Sequence, residues 1–229
     1  MIENFPWLLE VAFFALAMTT LLFFHWSNSR PTKVTLLLLL WGMLHAGLAY
    51  GGFFENVEAR PPRFAFILIP GFIILGYGLS PKALDWAAAR RNTYISTFLH
   101  TVRLPVELTL HYLFTWQLVP ELMTFSGRNF DILAGITAPI VGYLYYKNKL
   151  SNQVLIVWNI LGFLLVSFIL INGVLSAELP FQQFAFEQPN VALKYFPFVL
   201  LPALIVPLVM YTHLTDIILL RRKEKGVVN

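Results

Sequence analysis

Seven stretches of this 229-residue chain are apolar and long enough, at roughly 20 residues each, to cross a hydrocarbon core as helices. Hydrophobic residues make up 58% of the chain and charged residues 12%, far from the balance of a soluble domain. Backbone groups in lipid must bond within their own segment, which favours helices. We therefore predict an all-α, multi-pass membrane protein that forms one seven-helix transmembrane domain over residues 1–229. The stretches lie near 5–26, 34–54, 64–80, 94–115, 130–146, 153–175 and 194–220.

Positive charge is distributed unevenly over the connecting segments. If the N-terminus lies outside, eleven lysines and arginines fall in the inner segments and four in the outer ones. Lysine and arginine accumulate on the cytoplasmic side, so we predict an external N-terminus and a cytoplasmic C-terminus. The same rule accounts for the basic pI without a nucleic-acid partner. The inner residues are Arg30, Lys33, Lys82, Arg90, Arg91, Lys147, Lys149, Arg221, Arg222, Lys223 and Lys225, and the outer ones are Arg60, Arg63, Arg128 and Lys194.

The fourth apolar stretch carries four ionisable residues, His100, Arg103, Glu107 and His111. Their spacing of three, four and four places them on one helical stripe roughly 80° wide. Charge at membrane depth is costly and marks a candidate functional site. Arg103 and Glu107 stand at i,i+4, so we predict that they form the central charge pair. Such a pair also fits a purely architectural role, locking neighbouring helices together. Pro105 predicts a kink within the stripe.

Other apolar stretches carry titratable groups at matching depth. His45 lies near the middle of the second stretch, level with Glu107, and His213 and Asp216 lie in the inner part of the seventh, level with His100. We predict that they join the stripe as a ligand or proton pathway, since histidine titrates near neutral pH. A single histidine of this kind is more often a bundle residue with satisfied hydrogen bonds. Further polar groups are Glu10, Asn159 and Asn172.

The segment 119–131 precedes the fifth stretch and is rich in turn-forming residues. Ser126 and Gly127 predict a turn, and Asn129 or Asp131 is placed to cap the following helix. Arg128 is near enough in sequence to pair with Asp131.

Several classes of chemistry lack their motifs. The chain has no cysteine, which excludes disulfides and thiolate metal sites, and it contains no phosphate-binding loop, dinucleotide fingerprint, nucleophile elbow or His-Glu-x-x-His string. A retinal lysine deep in the seventh stretch is also missing. We therefore predict no metal site and name no cofactor.

Two strings resemble an uncharacterised family of small bacterial integral membrane proteins with seven helices. They are the segment 127–139, Gly-Arg-Asn-Phe-Asp-Ile-Leu-Ala-Gly-Ile-Thr-Ala-Pro, and the segment 180–190, Pro-Phe-Gln-Gln-Phe-Ala-Phe-Glu-Gln-Pro-Asn, which is followed by Phe196-Pro-Phe and His213-Leu. The similarity runs from about Arg103 to His213. It implies the bacterial inner membrane and supplies no activity to transfer.

A weaker resemblance is to seven-helix membrane hydrolases of the ceramidase and adiponectin-receptor type, which hold zinc with three histidines. His45 and His213 fall on suitable helices. The second histidine expected one turn along the seventh helix is missing, and Asp216 follows His213 instead.

Three functional hypotheses remain open at this point. The first is a small transporter, channel, or ligand- or proton-responsive sensor built around the polar site, with a small molecule or ion as its ligand. The second is an enzyme that uses a histidine and carboxylate metal site on a lipid-like substrate. The third is a structural subunit or homo-oligomer whose polar stripe meets another chain.

Overall fold

The computed structural model describes Ile2 and residues 4–226, and the described chain is all-helical without strands. A lone bridge between Ala177 and Asn190 is the nearest approach to a β-ladder in this part of the chain. The helices are α1 (Trp7–Ser27), α2 (Thr32–Tyr50), α3 (Ala65–Gly78), α4 (Pro81–Ala88), α5 (Thr93–Leu99), α6 (Arg103–Thr115), α7 (Ile132–Tyr146), α8 (Asn152–Leu175) and α9 (Val206–Glu224).

In the part of the chain that the structure describes, four helices are long and apolar enough to cross a membrane: α1, α2, α8, and α9 with the π-helical turn Leu201–Ile205 before it. A fifth is reached if α3 and α4, bent by 67° relative to each other, count as one span. The all-α class and the membrane-type helices are therefore confirmed. Each predicted stretch overlaps helix, although residues 195–199 of the seventh are not helical and α7 has only 15 residues.

The last helix lies at the centre of the bundle. In α9 with its π-helical turn, 72% of the residues in an apolar 18-residue stretch are buried, against 22–33% in the corresponding stretches of α1, α2 and α8. Those three helices instead leave many large apolar side chains exposed, such as Leu37, Leu40 and Leu164. This distribution fits a bundle whose rim faces lipid, because lipid-facing helices need no polar outer surface.

The predicted irregularity in the fourth stretch takes the form of a 3₁₀ turn, His100–Val102, between α5 and α6. Pro105 has no N–H to donate to the carbonyl of Thr101, so a regular α-helical ladder cannot run through this point. The turn orients Arg103 at the start of α6.

Two further prolines free carbonyl groups that α2 then satisfies. Pro70 lies four residues after Phe66 and Pro207 four after Ala203, so neither carbonyl receives its usual α-helical bond. His45 Nε2 contacts the Phe66 carbonyl oxygen at 3.2 Å, and Trp41 Nε1 donates to the Ala203 oxygen at 2.9 Å. Because the Phe66 carbonyl receives no N–H from Pro70, we assign the imidazole proton of His45 to Nε2, which donates to that carbonyl.

Glycines bring α7 close to α5 and α6. A Cβ at Gly135 would lie 2.5 Å from the backbone nitrogen of Leu104, closer than any side chain allows. Gly142 packs against Thr97 further along the same interface. This close approach places Asp131, at the start of α7, beside Arg103.

Candidate functional site

Arg103 is the centre of a buried polar cluster. Its side chain is 2% exposed, and its guanidinium makes a two-bond contact with the Asp131 carboxylate, Nε donating to Oδ2 at 2.7 Å and Nη2 to Oδ1. Nη2 also donates to the Gly162 carbonyl at 3.1 Å, and Nη1 lies 2.9 Å from His213 Nε2. The planar guanidinium suits this bidentate geometry. Arg103 therefore ties α6, α7, α8 and α9 together.

The predicted pairing of Arg103 with Glu107 is wrong, because Asp131 is the acidic partner. Close packing at Gly135 sets the Asp131 carboxylate directly against the guanidinium, while the Glu107 carboxylate accepts from Asn129 instead. Of the two predicted caps, Asp131 occupies the N-cap position of α7 without a side-chain capping bond, and Asn129 Oδ1 accepts from the backbone nitrogen of Asp131. Arg128 lies over the Phe184 ring at 4.9 Å instead of pairing with Asp131.

Glu107 is 1% exposed and is held by an amide. Asn129 Nδ2 donates to Glu107 Oε2 at 2.6 Å and also to the Met123 carbonyl at 3.0 Å. Asn129 Oδ1 accepts from the backbone nitrogen of Asp131 at 3.0 Å. One side chain thus links the Glu107 carboxylate to the residue that binds Arg103. Within residues 4–226, Glu107 forms no ion pair.

His213 and His100 stack face to face beside Arg103, with ring centroids 3.7 Å apart and planes at 12°. Arginine only donates, so His213 Nε2 accepts from it and the proton lies on Nδ1. Nδ1 then donates to Asn159 Oδ1 at 2.8 Å. His100 is fully buried, and neither of its ring nitrogens has a hydrogen-bond partner in the described chain.

Gly162 on α8 makes room for this arrangement. A Cβ at this position would lie 2.5 Å from His213 Cε1 and 3.3 Å from Arg103 Nη1. Any larger residue would therefore displace the imidazole or the guanidinium. Gly162 was not singled out from the sequence, because an isolated glycine in an apolar helix carries no signal of what packs on it.

A second buried ion pair lies one helical turn further along α9. Arg91 Nε donates to Asp216 Oδ1 at 2.8 Å, and Ser96 Oγ donates to Asp216 Oδ2 at 2.6 Å. The guanidinium also bonds Asn28 Oδ1 and the Thr212 carbonyl, each at 3.2 Å. Asp216, predicted to act in a pathway, is thus bound on both oxygens within a complete ion pair.

Besides Asp216, two predicted site residues lie outside the cluster. His45 is buried against Trp41, with ring centroids 4.1 Å apart, and bonds the backbone of α3. His111 is half-buried, stacks on Phe125 and lies 3.3 Å from Ser126 Oγ. The structure therefore joins His100, Arg103, Glu107 and His213, and it separates His45 and His111 from them.

A small cavity of about 50 Å³ borders the cluster. Arg103, Glu107 and Asp131 line it together with aliphatic side chains such as Val106 and Ile205. Such a volume holds on the order of three or four water molecules. The cavity therefore offers a small, mostly apolar space with carboxylates and a guanidinium at its border.

The titratable side chains of the described residues do not gather into a metal site. No group of three or more histidine, aspartate or glutamate side chains is arranged to hold a metal ion in this part of the chain. The resemblance to zinc-dependent membrane hydrolases therefore finds no set of ligands among these residues.

Residues 63–221 match the model of a family described as a domain of unknown function (DUF8737). This match covers more than half of the chain, so the chain belongs to that family, and the resemblance to an uncharacterised family is confirmed. No curated protein and no solved structure matches the chain.

Proposed function

We propose that this member of the DUF8737 family is a proton-coupled carrier of the bacterial inner membrane, with Glu107 as the group that exchanges a proton for a small cation. The observation that carries the proposal is the environment of Glu107. Its carboxylate is buried at the border of a cavity, while the nearby Arg103 is already neutralised by Asp131.

Seven membrane crossings with an external N-terminus complete the proposal. Residues 93–115 measure ~35 Å as helix, enough for one crossing. The 15 residues of α7 measure only ~22 Å, and we infer that the segment 116–131 completes that crossing. Val119, Met123 and Asn129 of this segment are buried, whereas Glu121 and residues 125–128 are exposed, so only its buried part is suited to lie at membrane depth. The uneven charge of the connections supports the orientation.

The charges in the site do not balance. Two carboxylates, Glu107 and Asp131, share the border of one cavity with a single guanidinium, that of Arg103. An unmatched carboxylate in a water-poor interior is unfavourable unless a proton or a cation joins it. One proton or one small cation would therefore balance the charge of the site and would fit its volume.

Asn129 provides the connection between occupancy and structure. It donates to Glu107 and accepts from the Asp131 backbone, so a change at the carboxylate reaches the first turn of α7 and the ion pair with Arg103. A carrier needs such a link, because its ligand must stabilise one arrangement of the helices over another.

The test is ion flux in proteoliposomes that contain a pH-sensitive dye. Outward gradients of Na⁺, K⁺ and methylammonium are imposed in turn, and the change in internal pH is followed. We expect the native chain to accelerate that change for at least one cation, and Glu107→Gln to reduce it to the rate of empty liposomes. Glu121→Gln is the matched control, since Glu121 is exposed in the adjoining segment.

Two results would contradict the proposal. One is a native chain that moves none of these ions faster than empty liposomes. The other is full flux in Glu107→Gln, with a melting temperature in detergent equal to that of the native chain.

A further inference from the structure

A second and larger cavity, of about 400 Å³, lies between α2, α3, α4 and α9, away from the Arg103 cluster. Its wall is formed by apolar and aromatic side chains, among them Leu38, Ile74 and Leu208. Lys82 is the one charged residue of the described chain that lines it. The volume falls within the range of about 300–1,000 Å³ that is typical of ligand pockets.

The backbone carbonyl of Ala203, which lines this groove, already has a hydrogen-bond donor. The carbonyl of Ala203, left without a helical donor by Pro207, accepts the Trp41 indole N–H. Trp41, Ala203 and Pro207 all line the groove. A ligand that lies there therefore needs no hydrogen-bonding group of its own along most of its length.

One end of the groove is shaped by Tyr211. A Cβ at Gly78 would lie 2.9 Å from the Tyr211 ring, so only glycine lets the ring pack against the end of α3. Gly71 lies about two turns earlier, and a Cβ there would lie 3.5 Å from Pro207. Both glycines therefore allow α3 to pack closely on the π-helical turn and α9.

The same end of the groove carries charge. Helix α4 leaves α3 at 67° and buries Leu84 and Ala87, while Lys82 is exposed and Trp86 half-buried at the groove. The Lys82 ammonium forms no ion pair within residues 4–226, whereas its neighbour Asp85 pairs with Arg222. A short amphipathic helix with an aromatic and a cationic residue is typical of the lipid headgroup level.

We propose that this groove binds one acyl chain of an anionic phospholipid, with the lipid phosphate on Lys82. The apolar wall matches the chain, and the unpaired ammonium matches the headgroup charge. The neighbouring faces of α2 and α3 expose Leu37, Leu40 and Ile73, so a lipid reaches the groove from the surrounding bilayer. The proposal stands independently of ion transport.

Native mass spectrometry of the chain released from nanodiscs tests this directly. The nanodiscs contain equal amounts of phosphatidylglycerol and phosphatidylcholine with the same acyl chains. We expect the native chain to keep one phosphatidylglycerol in preference to phosphatidylcholine. Lys82→Ala should lower the ratio of retained phosphatidylglycerol to phosphatidylcholine at least fivefold. Lys82→Arg should keep the native ratio, because either cation binds a phosphate.

Two further variants separate the groove from general surface charge. Lys149→Ala removes an exposed lysine of the 147–151 connection and should leave the preference unchanged. Ala83→Phe fills the groove without altering charge and should reduce the retention of either lipid.

Equal retention of the two lipids by the native chain would overturn the headgroup assignment. Undiminished retention in Ala83→Phe would overturn the groove itself. A loss of preference in Lys149→Ala as large as that in Lys82→Ala would reduce the effect to surface attraction, which also contradicts the proposal.

Discussion

The two buried arginine–aspartate pairs of this bundle have the same chemistry and different surroundings. Arg91 and Asp216 are 2% and 1% exposed, and they also hydrogen-bond to Ser96, Asn28 and the Thr212 carbonyl. Arg103 and Asp131 are buried to a similar degree, but a second carboxylate and a cavity lie beside them. The charges of the first pair balance, whereas the second pair has an additional carboxylate beside it that no cation balances.

This difference indicates how a buried ion pair is to be interpreted. A pair whose two charges match has no surplus charge for a proton or a cation to neutralise, and it holds α9 to the segment between α4 and α5. A pair beside a surplus carboxylate has an unbalanced negative charge, which a proton or a cation can neutralise. Burial and pairing alone do not separate the two roles; counting charges does.

The largest effect we expect is from Asp216→Asn. It leaves the Arg91 guanidinium buried without a carboxylate and should lower the free energy of unfolding by about 3–5 kcal/mol. Asp131→Asn should lower it by less, because Glu107 lies one turn from Arg103 on the same helix and can take over the pairing. Reversible unfolding in mixed detergent micelles measures both.

The double variant Asp131→Asn/Glu107→Gln sharpens the same comparison. It should cost more than the two single changes together, since the substitute partner is also removed. Strict additivity, or equal losses for Asp216→Asn and Asp131→Asn, would show that the two pairs do not differ as described.

An intermediate effect is expected at Gly162. Gly162→Ala inserts a methyl group against His213 and Arg103 and should destabilise the bundle by about 1–3 kcal/mol. Gly47→Ala on α2 is the matched control, because a Cβ there meets nothing within 4 Å, and it should be neutral or stabilising by up to about 1 kcal/mol. Thermal melting of both variants provides the measurement. An unchanged melting temperature in Gly162→Ala contradicts the packing of His213 on α8.

The smallest effect is expected at His45, in the proline-freed contact of α2 with α3. His45→Phe leaves the Phe66 carbonyl unpaired and should cost about 1–2 kcal/mol, with ion flux unchanged. The measurements are unfolding and the proteoliposome assay. Because His45 lies outside the Arg103 cluster, a selective loss of flux would place it in the pathway after all.

Helical periodicity identified part of the site and missed its partner. The spacing of His100, Arg103, Glu107 and His111 predicted one stripe, because the 3.6-residue repeat of a helix is a local property; the first three are buried, and His111 is half-buried. Asp131 was interpreted, together with Asn129, as a candidate helix cap, since such a residue before an apolar run is typical of one. Only the approach of α7 at Gly135 turns that carboxylate toward Arg103.

Composition and segment length by themselves determined the all-α class, the membrane-type helices and the position of the irregularity near Pro105, because burial in lipid and loss of a backbone N–H act on each segment alone. The tertiary structure alone decided which acid neutralises Arg103, which histidines stack and where space remains. Those outcomes depend on distances between helices that are remote in sequence, and these distances are set by small residues such as Gly135 and Gly162 whose packing partners no local pattern reveals.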